Sequence, residues 1–204
     1  VALQRHTRLL AAALALALPA CPAEAHPDIS MECRVLFNMD GGKLTGFGEA
    51  WTFDEAFSAQ LVFDYDENHD GRFDEREAKA METEVLGRLA EIHYYTYLTV
   101  GGTERETLQP FGFRASLDNG AVTFAFGFRF PEPIDPIATK VAVELKDPDF
   151  AVYAALTQDQ PAVLRGDTEG RCAATVRDDA EHPYFDGTII PQEISLTCRP
   201  APYR

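Results

Sequence analysis

The sequence predicts an α+β fold, an antiparallel β-sandwich-like domain with one helix-loop-helix inserted between its strands. Three observations predict it. Apolar residues alternate with polar ones at period two over most of the chain beyond residue 28. Between about residues 54 and 93 that period gives way to steps of three and four, the spacing of an amphipathic helix. The two helical stretches are separated by a short acidic segment with a glycine at its centre.

The chain opens with Arg5 and Arg8 before an apolar run from Leu9 to Ala20, too short to span a bilayer, and Ala23-Glu-Ala25 supplies a small-x-small cleavage signature. Residues 1–25 are therefore expected to be a secretory signal peptide, with the mature chain starting at His26 and forming one β-rich domain over 26–204. The competing expectation is a lipid-anchored Cys21, which the flanking Pro19 and Pro22 disfavour. Val1 is expected to reflect a non-standard bacterial start codon, which favours the periplasm. No transmembrane segment is expected in the mature chain.

Ile29, Met31, Cys33, Val35 and Phe37 define the first strand, with Leu36 breaking the alternation, and Asp40-Gly-Gly42 turns the chain. Thr45, Phe47, Glu49, Trp51 and Phe53 share one phase of the returning strand. Phe53, Phe57 and Leu61 then recur at helical spacing, and Ala78, Met81, Val85, Leu89 and Ile92 do so again in a second helix. Tyr94 to Val100 is β-rich and ends at Gly101-Gly102. Phe111, Phe113, Ala115 and Leu117 alternate up to Asp118-Asn-Gly120, and Val122, Phe124, Phe126, Phe128 and Phe130 alternate on the return. Runs around Val141–Leu145 and Phe150–Leu156 follow, separated by Asp147-Pro-Asp149, and the last strands fall near Arg171–Arg177 and Ile194–Arg199. That makes eight or so antiparallel strands.

The segment between the helices, Asp66 to Glu77, carries the chemistry. A hard cation such as calcium needs six to eight oxygens in a flexible cage, which a short loop supplies only from alternate residues around a sharp turn. Asp66, Asn68 and Asp70 occupy the first, third and fifth positions, and Gly71 falls sixth, where the turn requires glycine. Arg72 is seventh and would offer its backbone carbonyl, Asp74 is ninth, and Glu77 is twelfth, where a bidentate carboxylate is expected. This is the EF-hand pattern at every position the motif specifies, and Ca2+ is the cofactor it predicts.

The net charge of −15 disfavours nucleic acid and anionic lipid as partners. Of the cysteines beyond residue 25, Cys172 and Cys198 both sit on the apolar phase of predicted strands near the C-terminus and are expected to pair, leaving Cys33 as a small buried hydrophobe. There is no nucleophile elbow, no zinc-protease helix and no phosphate loop, and the histidines are scattered singly, so no catalytic residue is assigned and the protein is not expected to be an enzyme.

His26-Pro27, Trp51-Thr-Phe53-Asp54-Glu55, the Asp66–Glu77 loop, the tyrosines from Tyr94 to Tyr97, Phe128-Arg-Phe130-Pro131-Glu-Pro133 and Asp147-Pro148 together resemble the bacterial periplasmic proteins grouped as domain-of-unknown-function family 1007. The resemblance covers most of the mature chain and is strongest from Trp51 to Tyr97. It implies a metal-related accessory role beside nickel, cobalt or zinc transport systems, with a membrane transporter component as partner, and the lack of catalytic motifs makes the expected role non-catalytic. Family members commonly begin His-Pro-His, and here Asp28 replaces the second histidine. His26 is thus a speculative transition-metal ligand through its α-amine and ring, in a copper or nickel carrier. The other alternative is a calcium-stabilised module that recognises another protein.

Overall fold

The computed structural model describes residues 27–167 and 169–200. The first hairpin is formed by β1 (Ile29–Asp40) and β2 (Lys43–Phe53), paired with Met31 opposite Phe53 and Phe37 opposite Phe47. The inward positions of β1, from Met31 to Met39, are buried at every second residue, as period-two alternation dictates. Helices α1 (Glu55–Tyr65) and α2 (Glu75–Ala90) follow, then a single tight turn (His93–Tyr95) and strand β3 (Thr96–Val100). The remaining strands are β4 (Thr103–Glu104), β5 (Pro110–Asp118), β6 (Ala121–Ile134), β7 (Val141–Leu145), β8 (Val152–Leu156), β9 (Ala162–Arg165), β10 (Cys172–Asp178) and β11 (Gln192–Cys198).

These strands make two sheets. One runs β5-β6-β2-β1-β8 with β9 also on β1, and the other runs β10-β11-β7-β3-β4. A single core cluster draws on both sheets and both helices, with Trp51, Phe37, Phe47, Phe128 and Met81 among its fully buried side chains. The rings of Trp51 and Phe126 meet edge-on at 4.7 Å, as do those of Phe53 and Phe124 at 4.9 Å. Across the sandwich Tyr94, beside β3, packs 5.4 Å from Phe128 of β6.

The structure corrects the expected topology in two respects. The pairing is not wholly antiparallel, because β8 and β9 both run parallel to β1, with Ile29 opposite Val152 and Val35 opposite Ala162. The reason is the crossover at Asp147-Pro-Asp149, which carries the chain from β7 in one sheet to β8 in the other, so these consecutive strands do not pair. Phe111 is the second correction. A register shift between Phe111 and Arg114, with Gly112 at φ +69°, turns Phe111 out of the core, and its ring stacks under Arg129 at 4.7 Å. A similar irregularity at Leu44/Gly46 presses β2 against β6 so closely that a Cβ on Gly46 would lie 2.3 Å from the Phe128 carbonyl oxygen.

Two local devices position the helix pair. Asp54 caps α1 by accepting from Phe57 N at 2.9 Å and, through its other oxygen, from Ser30 N at 2.7 Å, tying the helix start to β1. The bonds from Phe57 and Ser30 hold its carboxyl below the usual range. Ser58, fully buried, donates to the Phe53 carbonyl and accepts from Val122 N at 3.0 Å, fastening α1 to β6. Asp54→Ala is expected to cost about 1 kcal/mol, read as a lower denaturant midpoint at unchanged slope.

Cys172 and Cys198 stand directly opposite each other across β10 and β11 and are bonded, and Cys33 is free and buried. The bridge closes a segment with a sequence separation of 26. In the chain-entropy model, replacing both cysteines with alanine is expected to cost about 3 to 4 kcal/mol, measurable by chemical denaturation against the oxidised parent.

Candidate metal site between the helices

The loop from Asp66 to Asp74 is held at both ends by helix termini. Asp66 is the C-cap of α1, its backbone N–H bonded to the Val62 carbonyl. Asp74 is the N-cap of α2 and forms a reciprocal capping box with Glu77: Asp74 Oδ1 accepts from Glu77 N at 2.8 Å, and Glu77 Oε2 accepts from Asp74 N at 2.9 Å. Between them the chain reverses through left-handed His69 (φ +57°) and Gly71 (φ +75°). No atom would crowd a Cβ on Gly71, so its backbone conformation rather than space is what calls for glycine there.

This path turns the loop's oxygens toward its own backbone. Asp66 is 3% exposed and accepts from Asp70 N at 3.1 Å and Gly71 N at 3.0 Å. Asn68 Oδ1 accepts from Asp70 N at 2.8 Å, and Asp70 Oδ1 from Arg72 N at 2.9 Å. Glu77 is 2% exposed and reaches back so that Oε1 accepts from Glu67 N at 2.9 Å. Thus the residues at the two ends of the loop, Asp66 and Glu77, are both buried, with the Glu77 carboxylate on the backbone N–H that follows Asp66, while Asn68, Asp70, Arg72 and Asp74 are exposed. Phe73 turns inward against the core. Arg76 pairs outward with Glu67 at 2.7 Å, and among the described residues no ion pair neutralises Asp66, Asp70, Asp74 or Glu77.

One acidic feature was missed by sequence reasoning. Among the described residues, the one group of three acidic side chains drawn within 4.8 Å of one another lies outside the loop: Glu144, Asp179 and Glu193. Glu144 and Glu193 face each other across β7 and β11, an unfavourable like-charge register. Lys146 bonds Glu144 at 2.6 Å, Arg177 bonds Glu193 at 2.9 Å, and His182 Nδ1 contacts Asp179 at 2.8 Å. Burial raises Glu144, whereas for Glu193 the bonds from Arg177, Ser195 and Lys140 outweigh burial and bring it below its ordinary value. With each carboxylate carrying a basic partner, the group reads as an ion-pair network closing the sheet. No spacing rule could have found it, since its members are brought together only by strand register. Glu49, by contrast, was legible as an acid on the inward phase of β2, and it is 3% exposed.

A model of the family described as protein of unknown function (DUF1007) matches residues 11–186. The chain belongs to this family. It is also similar to an uncharacterized 15.5 kDa protein from the trpE 3' region of Spirochaeta aurantia, with 27% identity over 141 residues, 69% of this chain and 100% of that protein. The DUF1007 match spans the whole helix-loop-helix and every strand from β1 to β10, leaving β11 beyond it. His26, Cys21 and the segment 1–25 lie outside the described residues. Among the described residues of this DUF1007 chain, no helix is long and apolar enough to cross a membrane.

Proposed function

We propose that this DUF1007 protein is a periplasmic, non-catalytic calcium-binding protein of EF-hand type, serving as an accessory component beside a nickel, cobalt or zinc transport system. The observation that carries the calcium assignment is the pair of buried carboxylates, Asp66 and Glu77, at the two ends of the loop, neither of which is ion-paired to a basic side chain among the described residues. Buried carboxylates without a counter-charge are costly, and a cation at this point removes that cost. The donor set fits a hard divalent ion: side-chain oxygens of Asp66, Asn68, Asp70, Asp74 and Glu77 with the Arg72 carbonyl, and no nitrogen or sulfur. Calcium bound there would supply charge neutralisation and a tie between α1 and α2. The protein's own residues fix the approach of the two helices through the Asp66 cap and the Asp74–Glu77 capping box.

A weak site of this kind stays filled where calcium is near millimolar, so a structural role is favoured over a sensor switch. The transport association rests on the family resemblance alone, and a membrane transporter component is the partner it calls for. A second reading is favoured by a cleft of about 370 Å3 between the helix pair and the sheet, lined by Trp51, Phe57, Leu61, Val85, Leu89 and Tyr95. In that reading the calcium-tied helices present an apolar surface to another protein.

Calorimetric titration of the chelator-treated mature protein with calcium, then nickel, zinc and copper, tests the assignment. A saturable calcium site with a raised melting temperature is expected. Absence of calcium binding, with a tight transition-metal site lost in His26→Ala, would replace it by metal carriage at the N-terminus.

A further inference from the structure

Glu49 sits mid-way along β2 with its carboxyl inside the sandwich, between the inward side chains of Phe47 and Trp51. Trp51 Nε1 donates to Glu49 Oε2 at 3.0 Å. From the opposite sheet, Thr96 Oγ1 lies 3.1 Å from Oε2 and 3.3 Å from Oε1, and also 2.7 Å from the Tyr94 carbonyl oxygen. A hydroxyl has one hydrogen, and it cannot serve a carbonyl and a carboxylate at once. The shortest of the three contacts places that hydrogen on the Tyr94 carbonyl, so the Thr96–Glu49 contact needs a hydrogen from Glu49. With Glu49 protonated, the Trp51 N–H, the carboxyl, the Thr96 hydroxyl and the Tyr94 carbonyl are all satisfied. With Glu49 ionised, either the carboxylate or the carbonyl loses its bond.

The carbonyl in question belongs to an unusual turn. His93, Tyr94 and Tyr95 are three consecutive non-glycine residues at φ +53°, +55° and +51°, joining α2 to β3. Such backbone persists only where its surroundings hold it. Here the restraints are the Thr96 bond, Tyr94 against Phe128 at 5.4 Å, Tyr95 against Trp51 at 6.2 Å, and Lys146 N on the Tyr95 carbonyl at 2.9 Å.

We propose that Glu49 is a proton-operated latch between the sheets: protonated, it leaves the Thr96 hydroxyl on the Tyr94 carbonyl and keeps the left-handed turn in place. Loss of the proton draws that hydroxyl to the carboxylate, frees the Tyr94 carbonyl, and loosens the turn together with the C-terminal end of α2. Burial pushes the Glu49 carboxyl up to about 8, against the lowering pull of the Thr96 and Trp51 hydrogen bonds, so the latch opens at mildly alkaline pH. The Cys33 thiol on β1 is charge-coupled to Glu49, and burial raises it, as burial also raises the phenols of Tyr94 and Tyr95 on the turn itself. The inward positions of β6 (Val122, Phe124, Phe126, Phe128) and β7 (Val141, Val143, Leu145) bring no charge. Glu49 is therefore the group here that changes first as pH rises. The latch needs no metal and stands apart from the calcium assignment.

Trp51 is the single tryptophan of the chain and holds the carboxyl directly, so its emission reports the latch. In the full chain, Trp51 emission is expected to titrate with a midpoint of about 8. Amide protection at Tyr95 and Thr96, whose N–H groups bond to the Ile92 and His93 carbonyls, should fall at least about tenfold across the same step, beyond the intrinsic pH effect. Glu49→Gln preserves the neutral bonds, since its amide donates to Thr96 and accepts from Trp51, and should abolish both changes. In Thr96→Val the emission should still titrate, while protection at Tyr95 and at position 96 is low throughout. The side-chain carboxyl resonance of isotope-labelled glutamate in the unsubstituted chain reads the same ionisation without any mutation. A Glu49 that ionises below about pH 6, or an alkaline step that survives in Glu49→Gln, overturns the proposal.

Discussion

Glu77→Gln is expected to weaken calcium binding roughly a hundredfold and to remove the calcium-dependent rise in melting temperature. Glu77 closes the loop with both carboxylate oxygens directed inward, one toward Glu67 N and the other toward Asp74 N. An amide offers one oxygen where two are needed and carries no charge. The substitution isolates binding from folding, because glutamine also serves the capping box at this position. The calcium-free variant should therefore melt within about 1 kcal/mol of the calcium-free parent. With free calcium at a hundred times its dissociation constant, the parent gains about 2.7 kcal/mol and the variant almost nothing. Equal calcium affinity in parent and variant, measured by calorimetry, would remove Glu77 from the site and the EF-hand reading with it.

The pH dependence of stability should be dominated by Glu49. Its carboxyl has the ordinary glutamate value of 4.5 in the unfolded chain, and burial pushes it up to about 8 in the folded one. Between those values the unfolded chain has released the proton and the folded one retains it. Stability therefore falls as pH rises through this window and levels off above it, the opposite sense to a carboxylate held by an ion pair. The limiting slope for one group is about 1.4 kcal/mol per pH unit, so several kcal/mol are at stake between mildly acid and mildly alkaline conditions. Chemical denaturation of the parent and of Glu49→Gln across this range gives the test as a difference, in which the remaining acidic groups cancel. Parallel stability profiles for the two proteins would show that Glu49 ionises alike folded and unfolded.

Much of the fold was legible because the rules behind it are local. Alternation at period two located β1, β2, β6 and β7, and the switch to helical spacing located α1 and α2 to within a few residues. The paired phases of Cys172 and Cys198 anticipated their bond. Phe111 was misplaced because a bulge at Gly112 adds one residue to the count, and nothing in an alternating run marks where the count slips. The parallel placement of β8 and β9 was likewise invisible, since periodicity states which face a strand buries and is silent on which strand lies beside it.

The candidate loop divides the same way. Its oxygen donors, its glycine and its flanking helices are a contiguous spacing, so the sequence by itself determined which residues line it. Only the tertiary structure decided that Asp66 and Glu77 are buried and, among the described residues, have no basic partner, because burial depends on how the helix pair lies on the sandwich. Glu49 carries the distinction furthest. Its inward phase on β2 follows from alternation, yet its partner Thr96 lies 47 residues away on the other sheet. Sequence periodicity sets the direction a side chain faces. The packing of one sheet on another sets what it meets, and in a low-dielectric interior that meeting determines whether a carboxyl keeps its proton.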